Sequence, residues 1–346
     1  MVAHALATRK CDRLHKLNKY NTRIQICTAD TEEPIQLKED PPKIRRILVS
    51  DRDDILEISS KIWRGHDYLP SIIDEWLADP TCHTYGVEAK GHVVAIGNLR
   101  LVDHGKTGWM EGLRVHADHR KKGYAKMLTK HFVNLGKDLG VKRLRHTTGS
   151  NNRASIKLAN TAGFKQLFRL SVFWHENLKA VSGTAHIRTT VREATASEVK
   201  EIKENNPDLV PQNILIYDWK AVEATDAGFG QIGKDHTFYV RKNTEDPKSF
   251  SFGHTSENLE SKWWSFTIYS SDAREFAAHF KNHLKMALET DLDATVCTAS
   301  TQFEKAFKTQ HLPRPGWKQE LIMFEKQIIQ QTHVGHNKAH AANKNY

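Results

Sequence analysis

The stretch RVHADHRKKGYA, Arg114 to Ala125, places several cations directly ahead of a glycine and a helix-like run. Within it, Arg120, Gly123 and Ala125 form an R-x-x-G-x-A pattern where a strand ending at Val115 turns into a helix. The start of a helix leaves backbone N–H groups unpaired and carries partial positive charge, and a glycine lets the backbone approach an anion closely. The chemistry such a turn serves is anion binding, and a pyrophosphate fits it. The plainer alternative is a solvated basic turn that only caps a helix.

The elements around this turn decide how much it means. IRRILVSDRDDILEISSKIW reads as a short strand, then Ser50 with Asp53 as a capping box, then a helix through Ile55, Ile58 and Ile62. After the loop GHDYLP and a short helix near Ile72 to Leu77, the runs HTYGVEA, VVAIGNLRLVD and WMEGLRV form an antiparallel meander. KKGYAKMLTKHFVNLGKDLG is amphipathic and helical to Gly140, VKRLRHTTG is a strand, NNRASIKLANTAGF a short helix and KQLFRLSVFWHE a closing strand. A second start, IRTTVREATASEVKEIKE, repeats strand, capping box (Thr195 with Glu198) and helix, and the pieces after it keep the same order, so the chain reads as a tandem of related units.

With 346 residues, 39% hydrophobic and 27% charged, the chain has the size of two ordinary globular domains. The expected division is a basic, disordered leader over 1–42, units over 43–180 and 186–331, and a disordered tail over 332–346. No apolar run is long enough to span a bilayer and no secretory signal opens the chain, which points to the cytosol. Cys11, Cys27, Cys82 and Cys297 lack zinc or disulfide spacing, and His333, His336 and His340 read as a solvated tail, so no metal is expected. A net charge of +10 suits an anionic partner, but no clustered cations interleaved with stacking aromatics indicate nucleic acid.

Over residues 44 to 176 the chain resembles the GNAT N-acetyltransferase family. EGLRVHADHRKKGYA is similar to the family's strand, turn and acetyl-CoA pyrophosphate loop, and NNRASIKLANTAGF to its second motif. The resemblance implies an α/β (α+β) GNAT fold, a mixed central sheet flanked by helices, followed by a degenerate GNAT-like unit. It implies acetyl-CoA as co-substrate, its pyrophosphate held by the N–H groups of Lys121, Lys122, Gly123, Tyr124 and Ala125 with charge from Arg120 and Lys122. A protonated amine is unreactive, so a base is needed, and Glu111 is the candidate, expected to share a face with Leu113 and Val115. A structural ion pair is its alternative role. An N–H near Leu113 or Val115 would stabilise the oxyanion.

The family's thiolate-protonating tyrosine is replaced by Ala159, which leaves Ser155 and Tyr124 as weak candidates for the acid. Asn152 is expected to hold the pantetheine arm or cap its helix. His66, Asp67, Tyr68 and Pro70 lie where the family lines its acceptor site, and Arg100 or Arg114 could pair with an acceptor carboxylate. GHDYLP, EWLADP and EGLRV, with the long second unit, look like the histidine N-acetyltransferase group. That likeness implies the α-amine of a free amino acid, L-histidine first, as acceptor. A protein lysine or N-terminal acetyltransferase and a non-enzymatic acetyl-CoA-binding regulator stay open. In the second unit GFGQIG, Gly228 to Gly233, lacks the strand-then-helix context of a dinucleotide loop, and Trp263 and Trp264 read as core or interface.

Overall fold

The computed structural model describes residues 40–62, 67–178, 190–257, 262–292 and 294–329. The leader, the tail histidines and His66 lie outside them.

Elements follow in two matching sets. The first runs β1 (Lys43–Arg46), α1 (Arg52–Ser60), α2 (Leu69–Ala78), β2 (Cys82–Ala89), β3 (His92–Val102), β4 (Thr107–Val115), α3 (Tyr124–Asp138), β5 (Arg143–Gly149), α4 (Arg153–Thr161) and β6 (Lys165–Glu176). The second runs β7 (Val191–Ala194), α5 (Ala196–Asn205), β8 (Ile214–Tyr217), β9 (Lys220–Glu223), α6 (Asp226–Ile232), β10 (Thr237–Arg241), β11 (Ser249–Glu257), β12 (Lys262–Ser270), α7 (Ala273–Glu289), β13 (Ala294–Ser300), α8 (Ala306–Thr309) and β14 (Trp317–Gln327). The second set differs by the inserted hairpin β8–β9, which falls where the first set joins α1 to α2.

One twelve-stranded sheet, in the order β1-β2-β3-β4-β5-β14-β6-β13-β12-β11-β10-β7, carries both sets. The closing strands are exchanged. β14 lies against β5 of the first set, with Leu321 opposite Gly149 and Gln327 opposite Arg143, while β6 lies against β13 of the second. β6 and β14 pair with each other at the centre. The expected boundary between 180 and 186 therefore separates the chain in sequence but not in the sheet, and the described residues from 40 onward cluster as one compact unit. Exchange covers the edge of β5 that faces away from β4 and the edge of β13 that faces away from β12, edges that would otherwise be open to aggregation.

Helices α1 and α2 pack on the first half's sheet through Ile55, Ile58, Ile73 and Trp76, and α3 and α4 form a separate core with it through Tyr124, Leu128, Phe132 and Ala159. The expected Ser50–Asp53 box is not formed, and no side chain caps the first helix. Asp51, buried, takes the Leu48 N–H at 2.8 Å and a two-pronged bond from Arg45, so the strand before the helix supplies the partner. In the second set Thr195 does cap α5, accepting from the Glu198 N–H at 3.2 Å, although the Glu198 carboxylate turns to Arg192. GFGQIG lies almost wholly in α6, and a Cβ on Gly228 would stand 1.9 Å from the Glu223 carbonyl oxygen, so that glycine serves close packing. Trp264 is core, and Trp263 packs on Trp174.

Beneath α7 runs a buried polar chain. The Trp264 indole donates to His283 Nδ1 (3.0 Å), His283 Nε2 to Ser251 Oγ (2.8 Å), Ser251 to His279 Nδ1 (2.7 Å), His279 Nε2 to Ser249 Oγ (3.1 Å), and Ser249 to Glu275 (2.6 Å). An indole can only donate, so both imidazole tautomers follow from that end of the chain.

Candidate functional site

Strands β4 and β5 are parallel neighbours for only three residue pairs, Thr107 to Trp109 against Arg143 to Arg145, and beyond that they separate. The gap opens toward the turn before α3. There Ala117–His119 forms a single 3-10 turn, Lys121 adopts φ +64° and Gly123 φ +89°, and no side chain caps the helix. Arg120, Lys121, Lys122 and Gly123 are exposed, and among the described residues none of the three cations makes an ion pair. A Cβ on Gly123 would meet nothing within 4 Å, so the glycine is required by its backbone angle and the space before it is open. A non-glycine residue at positive φ is costly, and Lys121 holds that conformation two residues before the glycine.

The strand beside the gap departs from the expected alternation. Asn98 faces Glu111 and Ile96 faces Arg114, so Gly112 and Leu113 of β4 lie opposite Gly97 alone, a bulge with Gly112 at φ +66°. Leu113 and Val115 therefore pack with Met110 toward α3, whereas Glu111 and Arg114 share the opposite face with Trp109. The expectation that Glu111, Leu113 and Val115 share one face is thus corrected. Gly112 is needed twice, for its angle and because a Cβ there would lie 2.2 Å from Trp76 Cη2 in α2. The N–H of His116 bonds back to Val94 on β3, and alternation then turns the N–H groups of Val115 and Leu113 into the gap.

On its face, Glu111 is set by two donors to one oxygen: Asn98 Nδ2 at 2.9 Å and Arg100 Nε at 3.2 Å both reach Oε1. No partner within the described residues takes Oε2. Asn98 is fully buried and oriented by Thr84 Oγ1, 3.0 Å from its Oδ1. Arg100 also reaches Asp79 (2.6 Å) and Glu75 (3.1 Å) of the α2 region. Beside Glu111, the Cys82 thiol is pushed up to about 11, chiefly by burial.

Arg114 forks onto Asp67, Nε to Oδ2 and Nη2 to Oδ1, each at 3.0 Å, and its guanidinium lies 5.1 Å from the Tyr68 ring centroid. Asp67 also approaches the Leu69 N–H at 3.4 Å. Both candidate arginines are thus engaged by carboxylates of the chain. Asn152 caps α4, accepting from the Ser155 N–H at 3.1 Å; Ser155 is half-buried in the first turn, Tyr124 is buried at the first position of α3, and Ala159 fills the core with 2% exposure.

The second half reaches this face through its inserted hairpin. Ile214, Ile216 and Ala221 pack with Trp109, Leu321 and Met323, and the Trp219 carbonyl at the tip accepts from the Thr147 hydroxyl of β5. Tyr217, with its hydroxyl 3.0 Å from Gln231 Nε2, is pushed up to about 12, first by burial, and lies within the electrostatic reach of Arg100 and Glu111. Sequence reasoning missed both Asn98 and this hairpin. The extra segment between the second unit's first two helices was the available signal.

Known proteins give the same division. The acetyltransferase (GNAT) family model matches residues 52–164, and the model of the histidine N-acetyltransferase C-terminal region matches 187–302. The histidine N-acetyltransferase of Oreochromis niloticus is 36% identical over 87 residues, 25% of this chain and 26% of that one. That of Xenopus tropicalis is 26% identical over 184 residues, 50% of this chain and 57% of that one, so the matches span under two thirds of these relatives. In structure, a tandem GNAT protein from the clavulanic acid biosynthesis pathway (TM-score 0.53, 13% identity) covers 84% of this chain and 99% of its own. A GCN5-related N-acetyltransferase from Sphaerobacter thermophilus (TM-score 0.57, 10% identity) covers 83% and 96%. Among the described residues no helix is long and apolar enough to cross a membrane. The R-x-x-G-x-A turn and the parted strands beside it thus fall inside the residues that match the acetyltransferase (GNAT) family model, and the chain has the GNAT fold in tandem.

Proposed function

We propose that this chain transfers the acetyl group of acetyl-CoA to the α-amine of a free amino acid, L-histidine first, with Glu111 as general base. The observation that carries the reading is the pairing of an open gap at an uncapped helix start with a carboxylate whose second oxygen is unclaimed. The pyrophosphate would sit on the N–H groups of residues 121 to 125, with Arg120 and Lys122 adding charge, and the pantetheine arm in the gap. An N–H of Leu113 or Val115 would stabilise the oxyanion. Glu111 Oε2 would take the amine's proton, directly or through water, as the nitrogen attacks the thioester carbon and the C–S bond breaks. Cys82, a protonated thiol at neutral pH, offers no competing nucleophile, which supports direct transfer. With alanine at 159, the thiolate takes its proton from water or from Ser155. The names of the relatives support histidine, and Asp67 and Tyr68 flank the acceptor side with a carboxylate and a ring.

The carboxylates already held by Arg100 and Arg114 favour a second reading, in which the acceptor amine belongs to a peptide with no free α-carboxylate to bind. The test is kcat/KM for histidine, histamine and a lysine peptide, expected to place histidine well ahead. Histamine at parity removes carboxylate recognition, and a faster peptide makes the chain a protein acetyltransferase.

A further inference from the structure

Asp218, His236 and His254 come from three separate segments, the tip of the β8–β9 hairpin, the residue before β10, and β11. Their ligand atoms nevertheless lie within 4.8 Å of one another. His254 Nε2 is 2.6 Å and His236 Nε2 3.4 Å from the same Asp218 oxygen, Oδ2, and the imidazole centroids are 4.0 Å apart. Ser265 donates to the other oxygen, Oδ1, at 2.6 Å. A catalytic relay would need its serine and its carboxylate on opposite nitrogens of one imidazole. Here Ser256 Oγ, at 2.9 Å, meets the same Nε2 of His254 that faces Asp218. His236, only 8% exposed, has no partner for Nδ1, and its Nε2 has only the long approach to Asp218. A buried imidazole aimed at a carboxylate already engaged by two other donors is poorly satisfied by protein alone.

Two imidazole nitrogens and a carboxylate oxygen converging on one point, with the carboxylate's far oxygen held by a hydroxyl, form a donor set suited to zinc. We propose that Asp218, His236 and His254 bind a zinc-class divalent ion. The ion locks the hairpin tip, where Asp218 (φ +44°) and Trp219 (φ +67°) are both left-handed, onto the second half's sheet. It would thereby hold Tyr217 and Trp219 beside the acceptor face. Spacing gave no sign of it, because the three ligands are far apart in the chain.

The test uses the untagged full-length protein, stripped with a chelator and titrated with cobalt(II), then with zinc in competition. The expected result is about one equivalent bound, with the ligand-field spectrum of a four- or five-coordinate N/O site and a raised thermal midpoint. Asp218→Asn and His254→Asn, checked as folded by circular dichroism, should each weaken binding about tenfold or more. A folded wild-type protein that binds no metal overturns the proposal, as does unchanged affinity in both variants, which would place the ion elsewhere. None of these readouts depends on acetyl transfer.

Discussion

At equivalent points the two halves treat a parallel strand pair and the following helix in opposite ways. Between β4 and β5 the pairing stops after three residues, and α3 starts at an exposed Gly123 with no side-chain cap. Between β12 and β13 it continues for five, Trp264 to Ile268 against Thr295 to Ala299, and α7 starts at Asp272, whose Oδ1 accepts from Arg274 N–H (2.8 Å) and Glu275 N–H (2.9 Å). A carboxylate of the chain occupies in the second half the kind of position that stays open to an external anion in the first. The lesson is that one topology can start its helix on an open turn or on a capped one, and a few residues at that turn set which.

The strongest way to break the comparison is to separate the halves. A chain ending at residue 185 leaves β5 without β14 and β6 without β13, and it should show no cooperative unfolding transition. A fragment that melts cooperatively and binds coenzyme A would mean that strand exchange is incidental.

Next in size is acid. His175 is pushed down to about 4 and His279 to about 3 by burial, and His283 well below its ordinary value, all in the second half's sheet and core; His146, down to about 4, is the first half's counterpart. Their folded-state values lie below the unfolded one of about 6.5. Their stabilisation is therefore present above pH 6.5 and lost as pH falls toward 4, each contributing up to about 1.4 kcal/mol per pH unit. Denaturant midpoints should fall steeply between pH 6.5 and 5, and a flat profile would show that the buried chain under α7 opens without cost.

Glu111→Gln should slow acetyl transfer about 10²-fold while acetyl-CoA affinity stays near wild type. Retention of most of the rate across the pH range assigns Glu111 to its ion pair with Arg100.

The finest contrast pairs the two helix starts. Gly123→Val strains a positive-φ position and should lower coenzyme A affinity about tenfold in calorimetry. Asp272→Ala should cost about 1 kcal/mol of stability as a lost cap and leave that affinity unchanged. Equal losses of affinity would show that both halves hold the cofactor.

Element order, the capped α5, the helix bounds around residues 124–138 and 153–161, and the position of the glycine turn before α3 were legible along the chain. Each rests on local periodicity or on one residue type at one turn: apolar residues every three or four positions, a threonine before a helix, a glycine after three cations. The exchange of β6 and β14 was not legible, because strand partners are chosen by which edges remain open once all strands are present. Nor was the face of Glu111. A single bulge at Gly112 reverses the phase of the later β4 side chains, and the Trp76 ring from another helix leaves no room for a Cβ there. The engagement of Arg100 and Arg114, and the meeting of Asp218 with His236 and His254, likewise depend on pairs distant in sequence. Their chemistry is written in residue types, but their partners are set by packing alone.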